Sequence, residues 1–376
     1  MMSARPKVGK LLRMAAAVMA GLLLAACSDA PEEVMNPGPS AADNDASFPV
    51  AIDHAFGETT VSESPKRIAV ADFGSEDVVL ALGFVPVGVL DAQEAEAANG
   101  LTPWMDAAIT SMGKTAGKPD SGADVVTYPV DSSELADEIR ELDPDIIFAT
   151  SLLLKQERYD KLKKVAPTVA RPNGEEMSWQ EHAELAGAAL GLDEEARELV
   201  GTTEASIRST ADEYPELANA TFAYVSVEAD GSVSVLSSGD PRVDVLTDLG
   251  MRLNADVSDF VGPATTQRHI TTEPDSDDDE AEAEPKLIKD IKPKDLKMLE
   301  NAGLIIAQFD DVDVQEAAEA NKAFKKLPAV KNKAYLGIAD PQVNRALAKP
   351  TVLSVPWVLD VLVPEVAVAA DKADKS

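Results

Sequence analysis

The side chains able to do chemistry in this chain are few, and their scarcity narrows what they can do. There is one cysteine, Cys27, and three histidines, His54, His182 and His269, with no pair four residues apart. No Gly-x-Ser-x-Gly elbow, phosphate-cradling glycine loop or His–Asp–Ser ordering occurs in the sequence. A metal held directly by protein would need converging histidines or carboxylates, and the three histidines are scattered. A thiolate mechanism or a disulfide has only Cys27 to draw on. Catalysis is therefore not expected, no resident metal or cofactor is expected, and binding is the chemistry left.

Cys27 has its own context. Arg5, Lys7, Lys10 and Arg13 form a basic start, Met14–Leu24 is an eleven-residue apolar run, and Leu24-Ala25-Ala26-Cys27 follows. The run is too short for a mature bilayer span, which takes about 20 residues. The whole stretch resembles a bacterial lipoprotein signal, in which the cysteine takes a diacylglyceryl group and becomes the first residue after cleavage. Residues 1–26 then form a signal peptide, and Cys27 is the lipidation site of an extracytoplasmic, membrane-anchored protein. Cleavage removes four positive charges and no acid, so the formal charge of −32 becomes −36. Such an excess of acid argues against nucleic acid, which needs basic stripes to displace counterions. It argues equally against a polybasic hold on anionic lipid.

The elements that must position any binding residues come in two similar series. Residues 27–49 are polar, rich in proline and aperiodic, a tether reaching about 25 Å from a membrane as a flexible coil. From 50 to 178, short β-branched strands alternate with helices: a hairpin leading into Ile68–Ala71, a helix Glu76–Leu82, strands at Val85–Val89, Pro144–Thr150 and Thr168–Ala170. From 218 to 376 the scheme repeats, with strands at Thr221–Val227, Leu304–Gln308 and Ala334–Ile338 and a closing helix Thr351–Leu362 interrupted at Pro356. Strand–helix–strand order with short turns means parallel pairing through right-handed crossovers. Between the series, residues 179–217 are helical. Ala196, Leu199, Val200, Thr203, Ile207, Ala211 and Tyr214 recur at three and four, which predicts one long amphipathic rod over Asp193–Leu217 with Asp193 as its N-cap. The fold class is α/β: two Rossmann-like lobes with central sheets, joined by a single long helix. Residues 271–284, TTEPDSDDDEAEAE, lack the glycine and closing glutamate of a calcium loop and read as a solvated acidic insertion in the second lobe.

These landmarks, in order, resemble the iron-siderophore and cobalamin class of periplasmic-type solute-binding proteins, the receptors of ABC importers. The residues that carry the likeness are His54–Val70 (HAFGETTVSESPKRIAV), Ala81–Val89 (ALGFVPVGV) and Ile139–Ala149 (IRELDPDIIFA). Tyr159–Val169 (YDKLKKVAPTV), Ser178–Gly191 (SWQEHAELAGAALG), Gly239–Met251 (GDPRVDVLTDLGM) and the segment Ala334–Leu362 continue it. The resemblance implies a monomer that captures a ferric siderophore between its lobes and delivers it to a permease and its ATPase. Haem or cobalamin in the same cleft, or a surface interaction protein without a transport role, are the alternatives. Carboxylates at the two lobe tips dock the permease in this class. Here they fall at Asp137 or Glu138 and at Asp244 or Asp248.

In paired α/β lobes the loops after the carboxyl ends of the strands face the ligand. That restricts attention to Phe73–Ser75, Asp91, Thr150-Ser151, Arg171, Trp179, Gly239–Arg242, Asp310 and Asp340–Arg345. A ferric siderophore shows a carbon shell and often an anionic charge, so it wants aromatic walls and guanidiniums. Trp104, expected on an irregular Asn99–Met105 segment, and Arg242, in the Asp-Pro-Arg turn, are the first choices for ligand contact. Arg171, Trp179 and Arg345 follow. Trp357, inside an apolar helix, is expected in the core.

Overall fold

A computed structural model describes residues 48–92, 100–114, 124–130, 132–172, 177–227, 233–257 and 299–374. The leader, the tether up to residue 47, Cys27, His269 and the acidic insertion lie outside them. The chain opens on a hairpin, β1 (Val50–His54) against β2 (Gly57–Val61), paired antiparallel. Five strands then form the first sheet: β3 (Ile68–Val70), β4 (Gly88–Leu90), β5 (Val126–Tyr128), β6 (Ile146–Phe148) and β7 (Thr168–Val169). Their order is β5-β4-β3-β6-β7 and every pairing is parallel. β3 and β6 are buried at every position, as strands covered on both faces must be. The crossovers are α1 (Ser75–Ala81), α2 (Pro103–Ser111), α3 (Leu135–Glu141) and α4 (Gln156–Leu162).

Helices α5 (Trp179–Leu190) and α6 (Asp193–Glu213) follow, and a 3-10 turn at Pro215–Leu217 completes the long rod. The amphipathic period was legible, and Ala196, Thr203 and Ile207 are its buried positions. The cap differs from expectation. Leu192 is the N-cap, and Asp193 sits one step inside the first turn, where its carboxylate still meets the positive helix end and Arg197 at 3.9 Å. The second sheet contains β8 (Thr221–Val227), β9 (Val233–Val235), β10 (Arg252–Leu253), β11 (Leu304–Phe309) and β12 (Tyr335–Ile338), in the order β10-β8-β11-β12. β9 departs from the parallel scheme and pairs antiparallel with β8. Helices α7 (Pro241–Asp248), α8 (Val312–Ala320), α9 (Pro328–Lys331) and α10 (Pro341–Ala348) accompany it. The closing helix α11 runs from Ser354 to Asp374. It is longer than the sequence suggested and runs on through Pro364, and Pro356 does not interrupt it because it falls in the first turn, where the missing N–H has no helical acceptor to lose.

Two separate sheets thus share one apolar interior. A continuous buried cluster joins Val70 and Phe148 of the first sheet, Ala196 and Ile207 of the rod, Tyr224 and Ile306 of the second sheet, and Val355 and Leu359 of α11. The lobes cannot part without exposing part of that cluster, so the linkage between them is stiff.

Candidate ligand site at the strand ends

Each sheet has one place where the chain reverses its direction of winding. In the first lobe it lies between β3 and β6, and in the second between β8 and β11. Such switch points leave a crevice at the carboxyl ends of the two strands. Their loops are Asp72–Asp77 and Thr150–Leu154 in one lobe, and the Asp240–Arg242 turn with Gln308 in the other.

In the first lobe the loop into α1 carries three acids, Asp72, Glu76 and Asp77, all of them buried. Asp72 is held by neutral donors: Ser75 N at 3.3 Å, the Thr150 hydroxyl at 2.9 Å and the Thr150 N–H. Glu76 accepts from Gly74 N at 2.7 Å. Burial, followed by the nearby Asp77 and Asp72, pushes its carboxyl up to about 8. Asp77 Oδ2 accepts from Trp104 Nε1 at 2.7 Å and from the Thr351 hydroxyl at 2.6 Å, while Oδ1 is buried without a partner. Burial raises Asp77 to about 6 against the pull of those two donors. The Thr351 bond spans 274 residues of sequence and ties the second half of the chain to the first. His182, on α5, places Nε2 at 2.8 Å from both Ser75 Oγ and Thr150 Oγ1, and burial lowers its pKa, favouring the neutral ring. Gly74 makes the approach possible. Its φ is 112°, and a Cβ there would come within 3.0 Å of the His182 ring.

Above this buried network lie Phe73 and two cations from α10 and its exit. The Arg345 guanidinium stacks 4.2 Å from the Phe73 ring centroid, and Lys349 Nζ lies 5.9 Å from it. Arg345 is half-buried, yet among the described residues it has no carboxylate within ion-pair distance and no acceptor for its five donors.

The other expected ligand residues fall in different settings. Trp104 is in helix α2, begun by Thr102 as N-cap and Pro103 as N1, and the irregular segment expected there ends before it. Its indole is 5% exposed and lies 5.1 Å from Trp357, which is half-buried and so less interior than expected. Arg242 is engaged: Asp240 accepts from its Nε and Nη2, each at 2.8 Å, and Gln308 Oε1 accepts from Nη1 at 3.2 Å. Asp240 also caps α7 on the same turn. Arg171 is 2% exposed and donates to the Ser151 carbonyl, pinning the loop after β6 from beneath. Trp179 is the first residue of α5 and packs half-buried against the main core.

At the proposed docking tips, Asp137 is exposed and paired with Arg140 on its own helix, while Glu138 accepts from Ser132 Oγ at 3.0 Å. Asp244 and Asp248 are exposed on α7, Asp244 accepting from Gly239 N at 3.1 Å. His54 is interior: Nε2 lies 2.9 Å from Thr59 Oγ1 and 3.3 Å from Tyr159 OH. Sequence reading reached Phe73–Ser75 and Thr150 by strand-end logic. It missed Asp72, Glu76 and Asp77 as a cluster, and gave no sign of Thr351 or Lys349.

Residues 98–262 match the family model described as periplasmic binding protein. A putative ABC transporter substrate-binding lipoprotein of Bacillus subtilis, YhfQ, is 32% identical over 164 residues, 44% of this chain. The match spans 43% of that relative's length. Among solved structures, PiaA of Streptococcus pneumoniae in complex with ferrichrome is similar over 86% of this chain and 99% of its own, with a TM-score of 0.65 and 26% identity. Staphylococcus aureus SirA complexed with staphyloferrin B superposes over 84% and 97%, with a TM-score of 0.60 at 21% identity, a likeness of fold.

Proposed function

We propose that this chain, two α/β lobes joined by a long helix, is a periplasmic binding protein that captures a ferric siderophore between its lobes for an ABC importer. The observation that carries the reading is the meeting of groups from both halves at the first switch point, Phe73 and Asp77 from one side and Arg345 and Thr351 from the other. A ligand seated there touches both halves at once. Match to the periplasmic binding protein model and likeness to siderophore-bound neighbours support the same choice.

Roles follow from the geometry. Arg345 and Phe73 offer a cation on an aromatic face, and Leu153, 77% exposed on the loop after β6, offers apolar surface to the ligand's carbon shell. Trp104 and Arg171 hold that surface from below. Iron here is cargo, enclosed by its own chelator, and the protein binds the shell. The shared core keeps the two walls near their bound spacing, so capture costs little reorganisation. Asp137, Glu138, Asp244 and Asp248 are the carboxylates proposed to meet the permease. Cys27 is proposed as the lipid anchor, and Cys27→Ser should release the protein from membranes with ligand affinity intact.

Titration of tryptophan fluorescence with ferric siderophores tests the assignment, because Trp357 is half-buried and its neighbour Trp104 bonds to Asp77. Saturable quenching is expected. Silence toward every ferric chelate, with a response to haem or cobalamin, would replace the ligand class.

A further inference from the structure

Arg345 poses a problem in desolvation. The described arginines that are partly or fully buried, Arg158, Arg171, Arg242 and Arg345, divide sharply. Arg158 donates to the carbonyls of Val130 and Ser132, Arg171 to that of Ser151, and Arg242 to Asp240 and Gln308. Arg345 alone among them has a π face beneath it and no acceptor among the described residues. Guanidiniums are rarely half-buried with all donors idle, because withdrawing them from water is costly unless something accepts. Lys349, one helical turn on, stands over the same ring and also lacks an acidic partner among the described residues. In a chain carrying 66 acidic residues against 34 basic ones, two neighbouring cations without carboxylate partners are unexpected.

We infer that Arg345 and Lys349, set over Phe73, form an anion-selecting face, so that the ligand is a negatively charged ferric chelate with catecholate or carboxylate oxygens at its rim and not a neutral trihydroxamate. The inference rests on the siderophore reading above. The Arg345 charge reaches Glu76 and Asp77 and draws both carboxyls downward, but their oxygens are committed elsewhere. Asp72 spends its oxygens on Ser75 and Thr150, Asp77 spends Oδ2 on Trp104 and Thr351, and Glu76 is turned to Gly74. None of the three reaches Arg345 within ion-pair distance. Burial also favours the protonated form of Glu76, pushed up to about 8, which removes one negative charge from beneath the face at neutral pH. A planar guanidinium stacked on an aromatic ring keeps its outer edge free, and that edge suits two adjacent chelate oxygens.

The test compares a trianionic ferric tris-catecholate with a neutral ferric trihydroxamate on the wild-type protein, Arg345→Gln and Lys349→Gln. The wild type should bind the trianion more tightly, with an affinity that falls as salt rises. Arg345→Gln should weaken the trianion by roughly 10- to 100-fold, the range of a charge-assisted hydrogen bond, and the neutral chelate by less than about threefold. Lys349 is exposed, so Lys349→Gln should fold normally and give a smaller loss of the same sign. Equal loss for both chelates on Arg345→Gln, or wild-type preference for the neutral one, overturns the charge inference and leaves capture of ferric chelates standing. Binding of haem or cobalamin in place of both chelates overturns the inference and the reading beneath it together.

Discussion

The switch points of the two sheets bring charge in from water by opposite means. In the second lobe the cation and anion arrive on one turn: Asp240 caps α7 and grips Arg242 through two bonds, and Gln308 closes the remaining side. In the first lobe three acids arrive within six residues, Asp72 to Asp77, and no cation comes with them. Their partners are neutral donors, Gly74 and Ser75 from the same loop and Thr150, Trp104 and Thr351 from three other places in the chain. A pair closed on itself has little left to offer a ligand. A network satisfied by neutral donors, three of them distant in the chain, leaves the cations above it without a carboxylate pair and makes the site depend on the joint between the lobes.

The largest expected effect tests that dependence. Trp104 fills the space between α1, α2 and α11 and donates to Asp77, so Trp104→Ala should lower unfolding free energy by roughly 3–5 kcal/mol. Urea denaturation measures it. Trp104→Phe keeps most of the packing and drops the donor, and should cost about 1–3 kcal/mol as Asp77 loses one of its two partners. A loss near zero for Trp104→Ala would mean that the first-lobe network stands without its wedge.

Next in size is a dependence on pH rooted in the first lobe's buried acids. The folded protein holds a proton on Glu76 up to about pH 8, whereas the unfolded chain releases it near 4.5. A raised acid makes stability greatest below the lower value. It falls as pH rises between the two, on the order of 4 kcal/mol in all for an isolated group. Asp77, raised to about 6, adds in the same direction over the lower part of that window. Glu76→Gln should flatten the slope and leave the protein more stable at pH 8 than the wild type. An unchanged slope in thermal melts taken from pH 5 to 8 would remove Glu76 as its source.

Arg242→Ala addresses the other half of the comparison. Its guanidinium and the Asp240 carboxylate are both mostly covered, with 18% and 14% of their side-chain surfaces exposed. Breaking the pair strands Asp240, and a loss of about 1–3 kcal/mol in stability is expected with chelate affinity unchanged. Isothermal titration beside a denaturant curve separates the two. Weakened binding at full stability would show that the second switch point is the ligand's principal grip and the first its support.

Sequence periodicity carried the fold a long way because burial writes itself locally. The rod 193–213 and the all-apolar Ile146–Phe148 could hardly have been anything else. Errors came where a boundary residue decided the outcome. Thr102-Pro103 is a helix start, and Met105, Ala108 and Ile109 behind it have helical spacing, so α2 and the interior position of Trp104 were legible in principle. The bond between Asp77 and Thr351 had no local signal of any kind. Contacts made by folding two lobes onto one core cannot be read from either segment alone.

The smallest prediction concerns how the first-lobe network is held from its far side. His182 reaches Ser75 and Thr150 only because α5 is capped where it is, four residues earlier. Ser178 starts that helix with a reciprocal capping box: Glu181 N donates to Ser178 Oγ at 3.2 Å, and Ser178 N donates to Glu181 Oε2 at 2.8 Å. Ser178→Ala should cost about 1 kcal/mol, the ordinary value of a lost cap. The effect should not stay at the cap. A frayed first turn loosens His182, so imidazole NMR signals of the variant should show a pKa moved back toward that of free histidine. Were α5 held by packing alone, the same variant would lose its kilocalorie and leave the imidazole titration where it was.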